Sequence, residues 1–249
     1  MTTRAVSSAA HAGRDRRAPS RRVALLLPLA LAVVVAAVLV VADLARSGGP
    51  AAPDTSHLQY VGVARRELAG LRSQGISLGS ASAPVVIQEF GDLRCPVCRE
   101  FDAQTLPDVV TRLVRTGQVR LEYHHWPILG SNSVYAGQAA YAAAQQNRLL
   151  LYAQIVYFNQ GDEQQSWFTP TVARAVAAAA GLDLSRFDHD LADTAAADRA
   201  TAAANATAQR NGFTGTPSFH ITGPGGVRNL TGSLPGYDAI AKVVQQVAR

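Results

Sequence analysis

Residues 83–101 have the sequence APVVIQEFGDLRCPVCREF, in which an apolar run is followed at once by two cysteines. The run Val85–Phe90 is short and rich in β-branched residues, which is typical of a buried strand. Gly91 and Asp92 end this run, and the apolar spacing beyond it predicts a helix that begins near Cys95. The sequence therefore predicts a strand that leads directly into a helix, with a Cys-X-X-Cys motif at the junction.

The two cysteines at this junction are the only ones in the chain. Three positions apart in the first turn of a helix, they lie on one face and close enough to form a disulfide. Unpaired backbone N–H groups and the positive end of the helix dipole favour a thiolate at this point, and a stabilised thiolate makes the disulfide oxidising. We expect Cys95 to be the exposed attacking sulfur, Cys98 to be the buried resolving sulfur and Pro96 to start the helix.

A zinc site and inert burial are the alternatives for this cysteine pair. A zinc site normally needs four ligands, typically with a second Cys or His pair at ligand spacing. His124 and His125 are adjacent, so on a strand they point to opposite faces and cannot both chelate readily. Because the motif stands between a strand and a helix and no other cysteine is present, we expect redox chemistry, with no metal and no organic cofactor.

The rest of the chain predicts the order β-α-β, a helical block, and then β-β-α. The helix after the cysteines should be kinked by Pro107 and ended by Gly117, and we expect a short helix to precede the first strand. The predicted elements are a helix within Leu58–Leu71, a strand at Val119–His124, an alanine-rich helical block from Ser133 to Arg210, strands at Ser218–Thr222 and Val227–Thr231, and a final helix at Tyr237–Val247.

The net charge of +5 comes largely from arginines in residues 1–22, before the first long apolar run. A basic tail beside an apolar segment more often sets membrane topology than binds nucleic acid, so no nucleic-acid partner is expected. Residues 23–43 are long enough for one transmembrane helix that acts as a signal anchor. We therefore predict a cytoplasmic tail at 1–22, a membrane span at 23–43, a linker at 44–57 and an extracytoplasmic domain at 58–249.

Two other interpretations of the N-terminal segment also place the domain outside the cytoplasm. Val40-Val41-Ala42 is a tolerable cleavage site for a signal peptide, although the apolar run is longer than such peptides usually have. Ser20-Arg21-Arg22 is similar to part of a twin-arginine export signal. The length of the apolar run favours an uncleaved anchor in the cell membrane.

From about Leu78 to the C-terminus, the chain resembles the DsbA-like branch of the thioredoxin superfamily. Residues 83–101 are similar to the first core strand and active-site turn of that family, and Thr214-Gly-Thr-Pro-Ser-Phe219 is similar to its cis-proline loop. The resemblance implies an α/β fold with a thioredoxin-like core and an inserted α-helical domain at about residues 131–212.

The resemblance also implies roles for individual residues. Pro217 should be cis and lie against the cysteine pair. The backbone of Thr216 should then be available to an extended substrate, and Pro96 and Val97 should belong to the substrate-binding surface. Glu89 should transfer protons beside Cys98, the alternative being an acid at a strand end that reaches water. Related oxidases often carry a histidine between the cysteines, which Val97 cannot replace. Tyr123, Trp126 and His220 are expected to be structural.

The resemblance implies dithiol–disulfide exchange with exported proteins, most simply as an oxidase that a membrane redox partner recycles. A reductase of the same fold is the nearest alternative, since the sequence does not set the redox potential. A non-catalytic chaperone or peptide-binding domain is the alternative from another class. No amphipathic dimerisation helix is evident, which favours a monomer.

Overall fold

The apolar run of residues 85–90 forms the centre of a mixed sheet. The computed structural model describes residues 34–35, 52–231 and 234–249. The strands in this part of the chain are β1 (Ser73–Gln74), β2 (Ser77–Leu78), β3 (Val85–Gly91), β4 (Val119–His125), β5 (Ser218–Gly223) and β6 (Gly226–Leu230), in the spatial order β1-β2-β4-β3-β5-β6.

The central strand β3 pairs with β4 in parallel and with β5 in antiparallel orientation. Val85, Ile87 and Phe90 are buried, which explains why this strand is apolar almost throughout. Glu89 is the exception, and it lies between Tyr123 of β4 and Phe219 of β5. The register therefore places a carboxyl group in the middle of the sheet.

Helices cover this sheet and form a separate block between β4 and β5. Buried alanines line the helices of this block, and such small side chains allow helices to approach closely. The helices are α1 (Val61–Leu68), α2 (Pro96–Gln104), α3 (Leu106–Val109, continued by a π-helical turn at Val110–Val114), α4 (Ser131–Gln145), α5 (Leu149–Phe158), α6 (Pro170–Ala179), α7 (Leu184–Ala192), α8 (Thr194–Arg210) and α9 (Tyr237–Val247).

The predicted order of elements is confirmed, including the alanine-rich helical block and the final helix. The helix after the cysteines differs from the prediction, because it is divided at Thr105 into α2 and α3 rather than kinked within one helix. Pro107 has no N–H to donate to the carbonyl of Ala103, so the helical bonding cannot continue through this point. The short strands β1 and β2 are not predicted, because two-residue strands have no readable alternation.

The N-terminal predictions fall mainly outside the described residues. This applies to the tail at 1–22, to the span at 23–43 apart from Val34 and Val35, which are helical, and to residues 44–51 of the linker. Among the residues that the structure describes, no helix has the length and apolar character needed to cross a bilayer. Residues 52–249 form one compact unit that contains the whole sheet.

Candidate active site

Cys95 is the N-cap of α2, and its backbone is still extended, with φ −76° and ψ 123°. Its N–H donates to the carbonyl of Asp92 (2.9 Å), which closes the turn between β3 and the helix. Pro96 is the first helical residue, as predicted, because a proline at this position loses no helical hydrogen bond. The local sequence therefore places the Cys95 sulfur at the start of the helix.

The Cys95 thiol has a pKa lowered to about 6, mainly because the Cys98 side chain hydrogen-bonds to its sulfur. Burial opposes this effect, while the side chain of Thr216 and the backbone N–H groups of Cys98 and Val97 support it. Stabilisation of a sulfur anion by backbone donors at a helix start is the effect expected from the sequence. Cys95 is therefore largely a thiolate at neutral pH.

Cys98 has the opposite environment, although it lies one helical turn away. It is completely buried, and burial together with Cys95 and Glu89 raises the pKa of its thiol well above the usual range. Both cysteines are free thiols in this structure, which is the reduced form. The environment therefore divides the pair into one sulfur that ionises readily and one that keeps its proton.

Cys95 is buried, with only 7% of its surface exposed, whereas the sequence analysis expected an exposed sulfur. The loop that contains Thr216 lies against it, and the Cys95 Sγ is 3.4 Å from the carbonyl oxygen of Thr216. The Thr216–Pro217 peptide bond is cis, as the resemblance implied, and Pro217 is buried. The fold thus brings two segments together that are more than a hundred residues apart in sequence.

Two exposed apolar side chains belong to the helix of the cysteines and to the loop bonded to Asp92. Val97 is 38% exposed and Pro96 is partly exposed, whereas Ile128, in the loop after β4, is 42% exposed. Solvent-exposed branched side chains beside a reactive sulfur provide contacts for a polypeptide. Ile128 was not among the predicted site residues, because a lone isoleucine in a loop carries no sequence signal.

Glu89 is buried rather than an acid at a strand end that reaches water, with 3% of its surface exposed. Burial, and secondarily the charge of Cys95, raise the pKa of this carboxyl to about 8. Its influence on the Cys98 thiol shows that the two groups are close. A carboxyl group with this pKa holds a proton at neutral pH and can exchange it, which is the property that a proton-transfer role needs.

Gly91 provides the space in which Glu89 and two tyrosines meet. A Cβ at this position would lie 2.9 Å from the ring of Tyr123, 3.0 Å from Tyr157 Oη and 3.2 Å from Glu89 Oε1. The hydroxyl groups of Tyr123 and Tyr157 are 2.9 Å apart, and Tyr157 donates to the carbonyl of Asp92 (3.3 Å). Tyr123 is therefore structural, as predicted, but it is also part of the wall of the site.

A second buried acid, Asp102, lies on the same helix as the cysteines. Burial raises the pKa of its carboxyl well above the usual range, and Glu89 and Glu67 add to the effect. Its Oδ2 atom is buried and has no hydrogen-bond partner among the described residues. The sequence analysis missed it, because an aspartate one turn after Cys98 is indistinguishable from a solvated helix position.

Asp92 joins the active-site turn to the loop after β4. Its carboxylate accepts four hydrogen bonds: from Arg94 N, from Ile128 N and Leu129 N, and from Ser133 Oγ. All of these distances lie between 2.8 and 3.1 Å. Asp92 therefore determines where Ile128 stands relative to Cys95.

Arg94 makes a second set of connections from the same turn. Its guanidinium donates to the carbonyls of Leu129 (2.7 Å), Gln165 (2.7 Å) and Glu163. The residue is 4% exposed. Asp92 and Arg94 were missed as site residues, although two charged residues flanking Leu93 immediately before a Cys-X-X-Cys motif are a visible signal.

No group of three or more His, Cys, Asp or Glu side chains that could hold a metal ion is found in the described part of the chain. His124 stacks on Phe90 and hydrogen-bonds to Gln88, whereas His125 packs on Gly137 and contacts the carbonyl of Ser133. The two histidines are thus engaged on different sides of β4.

Comparison with known proteins agrees with this geometry. Residues 72–229, more than half of the chain, match the sequence model of the thioredoxin family. The probable disulfide bond formation protein D of Bacillus cereus is 28% identical over 175 residues, which cover 68% of this chain and 77% of that protein. A thioredoxin-like oxidoreductase from Silicibacter pomeroyi is 29% identical with a TM-score of 0.58, covering 68% of this chain and 90% of that one.

Oxidised BdbD from Bacillus subtilis has the same fold, with a TM-score of 0.61 at 19% identity over 71% of this chain and 97% of that chain. The family match extends from the residue before β1 into β6, and it includes both cysteines and the cis-proline loop. The chain therefore belongs to the thioredoxin family, and it is a protein disulfide oxidoreductase.

Proposed function

We propose that this protein forms disulfides in exported proteins, as a DsbA-like oxidase that works through Cys95 and Cys98. The observation that carries the proposal is the difference between the two sulfurs, of which Cys95 has a pKa of about 6 and Cys98 has a raised pKa. Stabilising the thiolate of the reduced form makes the disulfide form the stronger oxidant. The names of the relatives from Bacillus support the same direction.

The exchange begins from the oxidised enzyme, in which Cys95 and Cys98 are joined. A client thiolate attacks the Cys95 sulfur, the bond between the two sulfurs breaks, and Cys98 leaves as a thiolate that takes the proton held by Glu89. A second client thiolate then attacks the client sulfur of the mixed disulfide, so that Cys95 leaves as its stabilised thiolate. The client has lost two electrons and the enzyme has gained them. A membrane redox partner then accepts these electrons and re-forms the disulfide between Cys95 and Cys98.

The client lies in an extended conformation along the loop that contains Thr216 and Pro217. The carbonyl of Thr216 lies 3.4 Å from the Cys95 sulfur, so backbone pairing at this residue would align a client cysteine with it. Pro96 and Val97 contact the client from the start of α2. The protein is monomeric and is anchored by residues 23–43, with the catalytic domain outside the cytoplasm.

Two cysteine variants test the exchange itself. The Cys98→Ala variant should accumulate mixed disulfides between Cys95 and exported proteins, because the resolving sulfur is missing. The Cys95→Ala variant should form none of these species and should lack all oxidase activity. Full activity of Cys95→Ala would instead show a chaperone that holds extended chains without redox chemistry.

The direction of electron flow is tested by the redox potential, measured by equilibration with glutathione. One observation favours the reductase alternative, namely that the Val97 side chain offers no donor to the thiolate, whereas related oxidases often carry a histidine there. An oxidase should have a potential well above the roughly −230 mV of the glutaredoxin range, towards the roughly −120 mV of DsbA. A value near the roughly −270 mV of thioredoxin would overturn the oxidase proposal and favour the reductase.

A further inference from the structure

Residues 160–168, here called the rim loop, connect α5 to α6 beside the active-site turn. The side chains of residues 161–166 are exposed, yet the loop is fastened at both ends. Gln160 Nε2 donates to the carbonyls of Leu93 (2.9 Å) and Cys95 (3.1 Å), and the N–H of Phe168 donates to Asn132 Oδ1 (3.2 Å). A polar surface loop is thus held directly against the reactive cysteine.

Arg94 fastens the middle of the rim loop. One of its nitrogens bonds the carbonyls of Glu163 and Gln165, while the other bonds the carbonyl of Leu129 in the loop after β4. The residue forms no ion pair in the described part of the chain, although burial of an unpaired cation is costly. The planar guanidinium is thus used as a fork that joins two loops, a geometry that lysine cannot reproduce.

The rim loop carries two exposed carboxylates, of which that of Asp162 also accepts a hydrogen bond from the N–H of Gln164 (2.9 Å). Asp162 and Glu163 are exposed, and neither forms an ion pair with a described residue. Val97 on α2 and Ile128 in the loop after β4 add exposed apolar side chains. A polypeptide bound here therefore meets apolar contacts close to the sulfur and negative charge at the rim.

We propose that Arg94 is a positioning residue that holds the rim loop beside Cys95, and that Asp162 and Glu163 select client segments with basic residues next to the reactive cysteine. The inference rests on the proposed function, because it describes which thiols that function accepts. A loop already ordered before binding loses little conformational entropy when the client arrives. Charges fixed beside the active-site turn also increase the rate of encounter with oppositely charged segments.

The test compares two peptides that have one cysteine in the same apolar context, flanked by lysines in one and by glutamates in the other. The rate constant for reaction with the oxidised full-length protein is measured for both peptides at low and high salt. The wild-type protein should prefer the basic peptide by at least about tenfold at low salt, because two charge pairs at roughly 7 Å in water favour the lysine peptide about fivefold and disfavour the glutamate peptide by a similar factor. High salt should bring the ratio close to one, because it screens exposed charges.

The double variant Asp162→Asn/Glu163→Gln should lower the ratio to near one at low salt. The matched control Asp193→Asn/Asp198→Asn removes the same charge from α8 and the turn before it, where the N–H of Asp193 bonds to His189 and the Asp198 carboxylate accepts from Gln138. This control should keep the wild-type ratio. A wild-type ratio near one, or a full ratio in the rim-loop variant, would overturn the inference.

Arg94→Lys tests the positioning role, with the exposed Arg99→Lys on α2 as its control. Arg94→Lys keeps the charge but cannot bond all three carbonyls, so the ratio of the two peptide rates should fall at least twofold, while Arg99→Lys should keep it. An unchanged ratio in a folded Arg94→Lys protein would show that Arg94 does not position the rim loop. If Arg94→Lys fails to fold, the double variant Asp162→Asn/Glu163→Gln decides the outcome. The two levels of proposal fail separately: if the oxidised wild-type protein reacts with neither peptide, the proposed function fails and this inference fails with it, whereas equal rates with both peptides overturn this inference alone.

Discussion

At the scale of single residues, the site depends on three acidic groups whose environments differ within a few ångströms. Cys95 is stabilised as an anion by donors at the helix start, while Cys98 and Glu89 are kept neutral by burial. The Cys95 anion itself raises the pKa of Glu89. The protonation of the carboxyl and the redox state of the cysteines are therefore coupled, since a disulfide carries no such charge.

The Glu89→Gln variant should lose the pH dependence of the step in which Cys98 leaves the disulfide. Without the carboxyl group, that step should be slowed by about tenfold to a hundredfold, the lower range for acid–base catalysis. Stopped-flow reduction by a peptide thiol between about pH 6 and about pH 9 would measure this, with the change centred below the pKa of about 8 that the carboxyl has beside the Cys95 anion. Glu100→Gln, an exposed acid on α2, should keep the wild-type profile.

Glu89 should also destabilise the folded protein as pH rises. The folded carboxyl keeps its proton up to about pH 8, whereas in the unfolded chain it ionises near the ordinary value of 4.5. Between these values the native state binds more protons, so the free energy of unfolding contributed by this group falls with rising pH. Urea titrations of both proteins should show Glu89→Gln gaining stability relative to wild type from about pH 5 to about pH 8, and a constant difference would contradict the burial argument.

At the scale of elements, the end of β3 and the turn after it organise the site. Within five residues this segment contains Gly91, which leaves room for Glu89 and the tyrosines, and Asp92 and Arg94, which hold the neighbouring loops. These contacts reach β4, α4 and the loop after α5. The turn is therefore both the support of the cysteines and the point where the helical block joins the sheet.

The Gly91→Ala variant should destabilise the protein by about 1–3 kcal/mol, the usual cost of overpacking a buried position. The added Cβ would lie at most 3.2 Å from the side chains of Tyr123, Tyr157 and Glu89, all of which are buried. Chemical denaturation would measure the change. Gly62→Ala on α1, where the nearest atom is the flexible end of Arg66 at 3.3 Å, should be neutral or slightly stabilising.

At the scale of the whole molecule, the redox state should change the stability of the fold with pH. In the reduced protein, the Cys95 thiol ionises near pH 6, but in the unfolded chain it does so near the ordinary value of 9.0. This group therefore stabilises the folded state, and its contribution is complete above about pH 9 and lost as the pH falls through 6. In the disulfide form the contribution is absent.

Relative to the oxidised protein, the reduced protein should thus gain up to about 4 kcal/mol of unfolding free energy between about pH 6 and about pH 9. Urea unfolding of both forms at several pH values would measure this gain. The raised pKa of Cys98 opposes it only above the ordinary thiol range, since that sulfur ionises in the unfolded chain there. A difference between the two forms that does not change with pH would show that Cys95 ionises like a free thiol.

Periodicity and motif spacing were sufficient to predict the order of elements and the two cysteines. These features are local: a strand or a helix start depends on a few consecutive residues, and a Cys-X-X-Cys motif at a helix start needs nothing from the rest of the chain. The resemblance added Glu89, Thr216 and Pro217. The division of the helix at Thr105 and the strands β1 and β2 were missed, because they depend on weak local signals.

Tertiary structure alone decided which groups surround the cysteines. Thr216 approaches Cys95 from a loop 121 positions away, and the rim loop reaches the active-site turn through Arg94 across about 70 residues. The burial of Glu89 and Asp102 is likewise set by neighbouring strands and helices rather than by adjacent residues. The amino-acid sequence by itself thus determined where the cysteine pair and its helix lie, whereas the pKa values and the surface around the pair arise from packing, since burial and hydrogen bonding depend on residues distant in the chain.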